Sequence, residues 1–409
     1  MAQDEILLGL DIGTTKVCAV VGQHNESGVL EITGVGMYPS RGLRRGVIVN
    51  IESTVKSIIQ AIEAAEMMSG REVESVTVGI SGSHIEGINS RGVVAVTGKG
   101  REIVKEDVDR VVDAAKAIVV PMDRAILHVI PQEFIVDDQS GIKNPVGMMG
   151  VRLESEVHII TGSVSSAQNI LKSVNRAGFR VTDLVLEALA ASRAVLSQDE
   201  KDLGVLLIDL GGGTTNVLSF IDGSPYHTSI LSLGADQVTS DLSIMLKTPI
   251  ESAEKIKREA GACHPSAVVE DQIVHIPRVG GRPPDKISRK KILQIVQPRM
   301  EEIFGLARER LEAEGQLKRL GGGAVIVGGG ALLPGAVELA ADIFEMPVRL
   351  GTPQGLGGLI EEYSSPVYAT AVGLVISAAR KEEGQILGRA RRGGQSILSK
   401  LKDWFQEFF

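Results

Sequence analysis

The sequence has only two cysteines, Cys18 and Cys263, among 409 residues. They fall in different candidate domains, so no structural disulfide is expected and a reducing compartment is. Seven scattered histidines offer no metal-ligand spacing. No apolar run reaches the roughly 18–20 residues that a spanning helix needs, so no transmembrane segment is expected. Residues 1–5 carry acid rather than base and lead straight into a strand, unlike a secretory leader. Base is also scarce overall: 43 Lys and Arg against 51 Asp and Glu leave a formal charge of -8. That balance argues against nucleic acid as the main partner, since a duplex reader presents a basic face. What remains is an acidic, cytosolic type of chain, long enough for two or more units with sizeable cores.

Against that background one phrase occurs twice. Leu10-Asp11-Ile12-Gly13-Thr14-Thr15-Lys16-Val17 is answered by Ile208-Asp209-Leu210-Gly211-Gly212-Gly213-Thr214-Thr215-Asn216-Val217. Apolar runs flank each copy (residues 6–10 and 17–21, then 205–208 and 217–221), which reads as strand, glycine turn, strand. Glycine lets backbone amides approach anionic oxygens and tolerates positive φ, so two such turns, one from each half, predict a clamp for a polyphosphate. Asp11 and Asp209 stand at the strand ends, where two carboxylates suit the water-rich coordination of Mg²⁺. Thr14, Thr15, Thr214 and Thr215 add donors, and Lys16 adds a cation. Gly328, Gly329 and Gly330 follow a further strand and are expected to open a helix whose N-terminus approaches the nucleotide.

The pattern between these motifs alternates strands and helices in two similar halves, an α/β fold of layered sheets. A helix is expected over 53–69 with Val55, Ile58, Ile59 and Ile62 on one face, and a strand over 76–80. Residues 82–161 read as an inserted small subdomain with a helix at 106–119 and strands at 125–130 and 133–136. Helices follow at 165–177 and 188–196 around a strand at 180–186. Paired helices at 233–247 and 250–260 precede a long helix at 288–314, where Pro298 predicts an interruption. The last elements are a strand at 324–327 and helices at 335–344 and 366–379. The first lobe core then comprises residues 1–81, 162–193 and 353–380, and the second 194–237 and 318–352, with 238–317 as its outer subdomain. Residues 381–396, rich in glycine and arginine, read as a flexible basic linker.

Residues 397–409 form a separate unit. Ile397, Leu398, Leu401, Trp404, Phe405, Phe408 and Phe409 make one continuous helical stripe containing the only tryptophan. At about 1.5 Å per residue the helix would be roughly 20 Å long, too short to cross a bilayer and suited to lying in its interface. Each large side chain contributes roughly 1.5–3 kcal/mol on burial and each nearby cation about 1 kcal/mol against anionic lipid. Ordering the backbone costs about 1–2 kcal/mol per residue, so a single tail binds weakly. A polymer of tails gains avidity without new lipid contacts.

The paired phosphate motifs with a later glycine cluster resemble the actin, Hsp70 and sugar-kinase ATPase superfamily. This implies a two-lobed actin-like fold, with ATP and Mg as cofactors. It implies that residues 186–190 include the water-orienting position, making Glu187 a catalytic candidate beside Asp11 and Asp209. It also implies that Glu254, Lys257 and Arg258, on one helical face, hold adenosine. The inserted segment, the run Ile130-Pro131-Gln132-Glu133-Phe134 leading to Gly141-Ile142-Lys143-Asn144-Pro145-Val146-Gly147, the loop Gly280-Gly281-Arg282-Pro283-Pro284 and the amphipathic terminus are more specific. Together they resemble the FtsA family of actin-like bacterial division proteins, over essentially the whole chain. That resemblance implies filaments at the inner face of the cytoplasmic membrane, a tail that anchors FtsZ, and further division proteins recruited through residues 82–161. It implies docking of the FtsZ C-terminal peptide on residues 238–317, with Lys291 and Arg299, about two helical turns apart, meeting its acid. Any ATPase would be weak or regulated, with ATP biasing a closed, assembly-competent state. The competing readings are a pilus-assembly actin homologue, which shares the insertion without needing the tail, and a small-molecule phosphotransferase, for which no substrate-base motif is visible.

Overall fold

The structure, a computed structural model, describes residues 6–388 apart from Gly98. The chain opens with β1 (Leu7–Ile12) and β2 (Lys16–His24), whose apolar runs are buried almost throughout, and β3 (Leu30–Pro39), buried in its middle and exposed at its end. A small hairpin, β4 (Leu43–Arg44) and β5 (Val47–Ile48), leads to α1 (Ile51–Ser69) and β6 (Ser75–Ile80). Asn50 caps α1 by accepting from Ser53 N–H, and Gly70 ends it in the left-handed region. The buried face of α1 is Thr54, Ser57, Ile58, Ala61, Ile62 and Ala65. The expected Val55 and Ile59 flank that face, because the helix lies on Gly34 and Gly36 of β3 and only small side chains fit at the closest approach.

The chain then leaves for β7 (Glu86–Ala95), α2 (Lys105–Ala115), β8 (Arg124–Val136), β9 (Gln139–Ile142) and β10 (Arg152–Ser163), a four-stranded sheet ordered β7-β10-β8-β9. Two expectations fail here. The helix stops at Ala115 rather than 119, since Val119 and Val120 are β-branched and Pro121 disfavours helical backbone before it. The two expected strands are one, because the register shifts at Gln132 and this bulge accommodates Pro131 inside a continuous strand. The bulge also aims Gln132 outward, where its Nε2 donates to Pro225 O at 2.8 Å. The first lobe resumes with α3 (Val164–Arg176), β11 (Arg180–Leu186) and α4 (Glu187–Val195).

The second lobe comprises α5 (Gln198–Leu203), β12 (Val205–Leu210), β13 (Thr215–Ile221), β14 (Ser224–Leu231), α6 (Ala235–Leu246), α7 (Ile250–Ala260), the hairpin β15 (Ile273–Ile276) and β16 (Asp285–Ser288), α8 (Arg289–Ala313), β17 (Ala324–Val327), α9 (Ala336–Phe344) and β18 (Val348–Leu350). Helix α8 runs unbroken through Pro298, because Ile292, Ile295 and Val296 before it and Met300, Ile303 and Phe304 after it pin both halves to the lobe. The chain closes on the first lobe with β19 (Gly357–Gly358), α10 (Ile360–Tyr363) and α11 (Ala369–Gly388). The last helix passes the expected linker start at 381, since Lys381, Glu382 and Glu383 favour helix and the single Gly384 costs only about 1 kcal/mol. Residues 389–409, including the predicted membrane helix 397–409, lie outside the described residues.

The sheet orders show one design used twice. In β11-β6-β1-β2-β3-β19, β1 pairs antiparallel with β2 and parallel with β6. In β14-β13-β12-β17-β18, β12 pairs antiparallel with β13 and parallel with β17. Helices α4 and α11 pack against each other between the sheets, within one core that takes Leu10 and Val17 from the first lobe and Leu207 and Val325 from the second. The inserted subdomain also reaches the second lobe: besides Gln132, Lys143 Nζ donates to Asp222 O (2.6 Å), Asn89 Nδ2 to Tyr226 O (3.0 Å), and His158 Nε2 pairs with Thr228 Oγ1 (2.8 Å).

A separate core under the second sheet contains Phe304 and Phe344, edge to face at 6.1 Å. Truncating the fully buried Phe304 to Ala is expected to lower stability by about 3–5 kcal/mol, read as a shift of the urea midpoint. A change under about 1 kcal/mol would show that this core is not limiting.

Candidate active site

The two repeated turns meet across a cleft between the lobes. Gly13 N–H donates to Lys16 O and Gly211 N–H to Thr214 O, each at 2.9 Å, so both turns are closed by the same bond. Their tips touch. A Cβ added to Gly212 would lie 2.3 Å from Thr15 Cγ2, and one added to Gly213 would lie 2.7 Å from Thr14 Oγ1. None of Gly13, Gly211, Gly212 and Gly213 has positive φ. Glycine is needed here because the hairpins leave no room for a side chain, rather than for its left-handed freedom.

The cleft measures about 1180 Å³ and is lined by Asp11, Gly13, Thr14, Thr15, Lys16, Glu187, Asp209, Gly211, Gly212, Thr214, Glu254, Lys257, Arg258, Gly328, Gly329 and Gly330 among others. Thr215 lies beneath, fully buried, with its hydroxyl donating to Leu233 O at 2.8 Å. Gly328 takes positive φ and its N–H donates to Pro366 O, tying the second lobe to the end of the first. The expected helix N-terminus is absent at this point. The glycines open a short 3₁₀ turn, Gly329–Leu332, and α9 starts only at Ala336.

Three buried carboxylates share this space with one ammonium. Lys16 Nζ is 2.8 Å from Asp11 Oδ2. Burial opposes its charge, but Asp11, with Cys18 and Asp209 behind it, more than reverses that and raises its pKa. Asp209 is pushed up by burial and then by Asp11, and Glu187 is pushed well up by burial, Asp11 and Asp209. The excess of negative charge, on oxygen donors only, fits a hard divalent cation. Among the described residues no three His, Cys, Asp or Glu side chains converge closely enough to chelate one directly, so Mg²⁺ would be held through water and phosphate.

Glu187 is the first residue of α4, at the end of β11. Its entry is held by Leu186 N–H donating to His128 Nε2 at 3.0 Å, a ring kept neutral by burial, which lowers its pKa to about 4. Asn216, missed by sequence reasoning, donates from Nδ2 to Asp209 Oδ2 (3.1 Å) and partly offsets the upward shift of Glu187. Ser81 Oγ donates to Asn216 Oδ1 at 2.5 Å, and Thr370 Oγ1 reaches Asp209 Oδ2 at 3.4 Å. A signal for Asn216 existed, because it takes the place in the second copy that Lys16 takes in the first.

On the α6–α7 side the predicted trio is differentiated. Lys257 is buried and donates to Ala235 O (3.1 Å) and Thr239 Oγ1 (2.9 Å) while pairing with Glu254 at 2.7 Å. Against the cost of burial, bonds from Lys257 and Thr239 hold the Glu254 pKa below its usual range. Arg258 remains exposed, and the apolar wall of Ile250, Leu332, Leu333 and Pro334 had no sequence signal. Away from the cleft, Arg299 is already bound by Asp241 (Nε to Oδ2, 2.6 Å) and Glu302, whereas Lys291 is exposed.

Comparison with known proteins accords with this geometry. A sequence profile described as "Cell division protein FtsA" matches residues 206–373, and one described as "SHS2 domain inserted in FTSA" matches residues 82–161. The chain is 48% identical to the cell division protein FtsA of Borreliella burgdorferi over 99% of both chains. It is 42% identical to that of Pseudomonas aeruginosa (99% of this chain, 98% of the relative) and 37% identical to that of Escherichia coli K12 (99% and 98%). In fold it matches the PilM-PilN type IV pilus biogenesis complex (TM-score 0.66, 18% identity, 91% of this chain and 98% of that one). It also matches MreB5 of Spiroplasma citri bound to AMPPNP (TM-score 0.57, 16% identity, 94% and 99%). With that similarity running the length of an actin-like, two-lobed α/β fold, the chain belongs to the FtsA family of cell division proteins.

Proposed function

We propose that this protein binds Mg-ATP between its lobes, assembles into filaments, and holds FtsZ at the inner face of the cytoplasmic membrane through residues 397–409. One observation carries the nucleotide reading: two turns from opposite lobes meet over buried carboxylates, where an anion alone would be repelled and an anion with its cation is welcome. The turn residues Gly13, Thr14, Thr15, Gly211, Gly212, Gly213 and Thr214 offer amide and hydroxyl donors to phosphate oxygens, and Lys16 offers charge. Asp11 and Asp209 would orient the water shell of Mg²⁺. When bound, that ion neutralises phosphate and carboxylate together. Glu187, with its raised pKa, is suited to orient and deprotonate a water for slow hydrolysis. Glu254 and Arg258 lie where a nucleoside would reach, with Lys257 bracing Glu254.

For partners, exposed Lys291 is the cation open to the acidic FtsZ C-terminal peptide, and Arg299 would exchange Asp241 for it. Further division proteins are assigned to residues 82–161. No helix among the described residues is long and apolar enough to cross a membrane, which leaves membrane attachment to the amphipathic terminus.

Changing Asp209 to Ala is expected to weaken Mg-ATP binding about 10- to 100-fold by calorimetry, as befits a lost charge-assisted contact; unchanged affinity removes it from the site. The pH dependence has a definite sign. Glu187 binds its proton more tightly folded than unfolded, so the nucleotide-free protein loses stability as pH rises from the ordinary glutamate value of 4.5 through the raised folded one. Melting curves from about pH 5 to 8 should therefore slope less for Glu187→Gln than for wild type, and parallel curves would show that its charge is not costly. Trp404→Glu, or deletion of residues 397–409, should abolish co-sedimentation with anionic liposomes and leave ATP binding intact. Retained co-sedimentation would assign the membrane contact elsewhere.

A further inference from the structure

Strand β6 ends at Ile80, with Gly79 inside it and Ser81 immediately beyond it, and both approach the cleft machinery. Gly79 makes room for the acid: a Cβ there would stand 2.9 Å from Glu187 Cγ. Ser81 does something different. Its hydroxyl, 4% exposed as a residue, leaves the first lobe and donates to Asn216 Oδ1 of β13 in the second, at 2.5 Å. Asn216 is 2% exposed. A carboxylate only accepts, so the Asn216 amino group must face Asp209 and its oxygen must face Ser81. The amide therefore has one satisfied orientation, in which its amino group also partly offsets the upward shift of Glu187. Without the Ser81 hydroxyl the amide oxygen would be buried and unpaired, and the bond spanning the lobes beside the acid would be gone.

We propose that Ser81 is a positioning residue: by fixing the Asn216 amide across the closed cleft it keeps Asp209 and Glu187 aligned and delays nucleotide release. This rests on the reading that the cleft holds Mg-ATP. Ser81 immediately precedes residues 82–161, and Gly82, at φ 132, turns the chain away into that subdomain.

The test is stopped-flow release of a fluorescent (N-methylanthraniloyl) ATP analogue with magnesium from the full-length protein. Ser81→Ala should release it about five- to tenfold faster, the effect of one buried hydrogen bond, with association little changed. Ser81→Thr keeps the hydroxyl and should stay within about twofold of wild type, a rescue that a packing role would not produce. In an Asn216→Ala background Ser81→Ala should add nothing; if that background does not bind, the Ala and Thr pair decides. Should Ser81→Ala fail to fold by thermal melting, Ser81→Cys, of similar size with a weak donor, replaces it. Equal release from wild type and Ser81→Ala, or equally fast release from the Ala and Thr variants, overturns this inference alone. No binding of the analogue by wild type overturns the nucleotide reading and this one with it.

Discussion

Charge concentrated away from water is the constraint on which the molecule is organised. Asp11, Asp209 and Glu187 are each buried within one cleft, and Lys16 answers only one of them directly. Buried charge of one sign is unfavourable unless partnered, so the cleft carries a deficit that, on the proposed function, a cation bound with an anionic ligand would relieve. The duplicated sheets serve that end. β1 and β12 are buried along their whole length, and each delivers its aspartate close to the point where burial ends and the turn begins. The closeness of the two turns at Gly212 and Gly213 gives the lobes a hard stop, so closure has a defined end point rather than a continuum.

Helices α4 and α11 make that closure coherent. Both lie between the sheets, and α4 carries Glu187 on its first turn while its body packs on β12 and β13. A shift of either lobe therefore moves the acid relative to the aspartates. The inserted subdomain adds a second span. It leaves the first lobe after β6, yet Gln132, Lys143, Asn89 and His158 fasten it to β14. That strand would otherwise be an open edge of the second sheet, and covering it removes a site for unwanted pairing. The cleft and the insert are thus two places where the lobes are joined.

Much of this was legible because the relevant signals are local. The hairpins announce themselves through apolar runs flanking Asp-Leu-Gly-Gly-Gly-Thr, and the helices at 250–260 and 165–177 through periodicity. What escaped was decided at a distance. Pro131 suggested a strand end, and the strand continued because β10 absorbs a bulge at Gln132. Pro298 suggested a break, and core contacts on both sides kept α8 continuous through it. The partners that hold Lys257 (Thr239 on α6 and Glu254 on its own helix) and Arg299 (Asp241 on α6) were likewise set by packing between helices. Ser81 is unremarkable in sequence, and Asn216 stands out only by taking the place of Lys16 in the repeat; their link exists because two lobes bring them to 2.5 Å.

The sequence by itself determined the duplicated sheet hairpins, the placement of Asp11, Asp209 and Lys16 at their turns, and the order of the elements, since these follow from spacing and polarity over a few residues. The tertiary structure alone decided that the two turns touch, that Asn216 joins Ser81 to the carboxylates, and that the insert belongs to both lobes. Those facts depend on contacts between residues 70 or more positions apart, and no local pattern encodes which distant surfaces will share a dry interface.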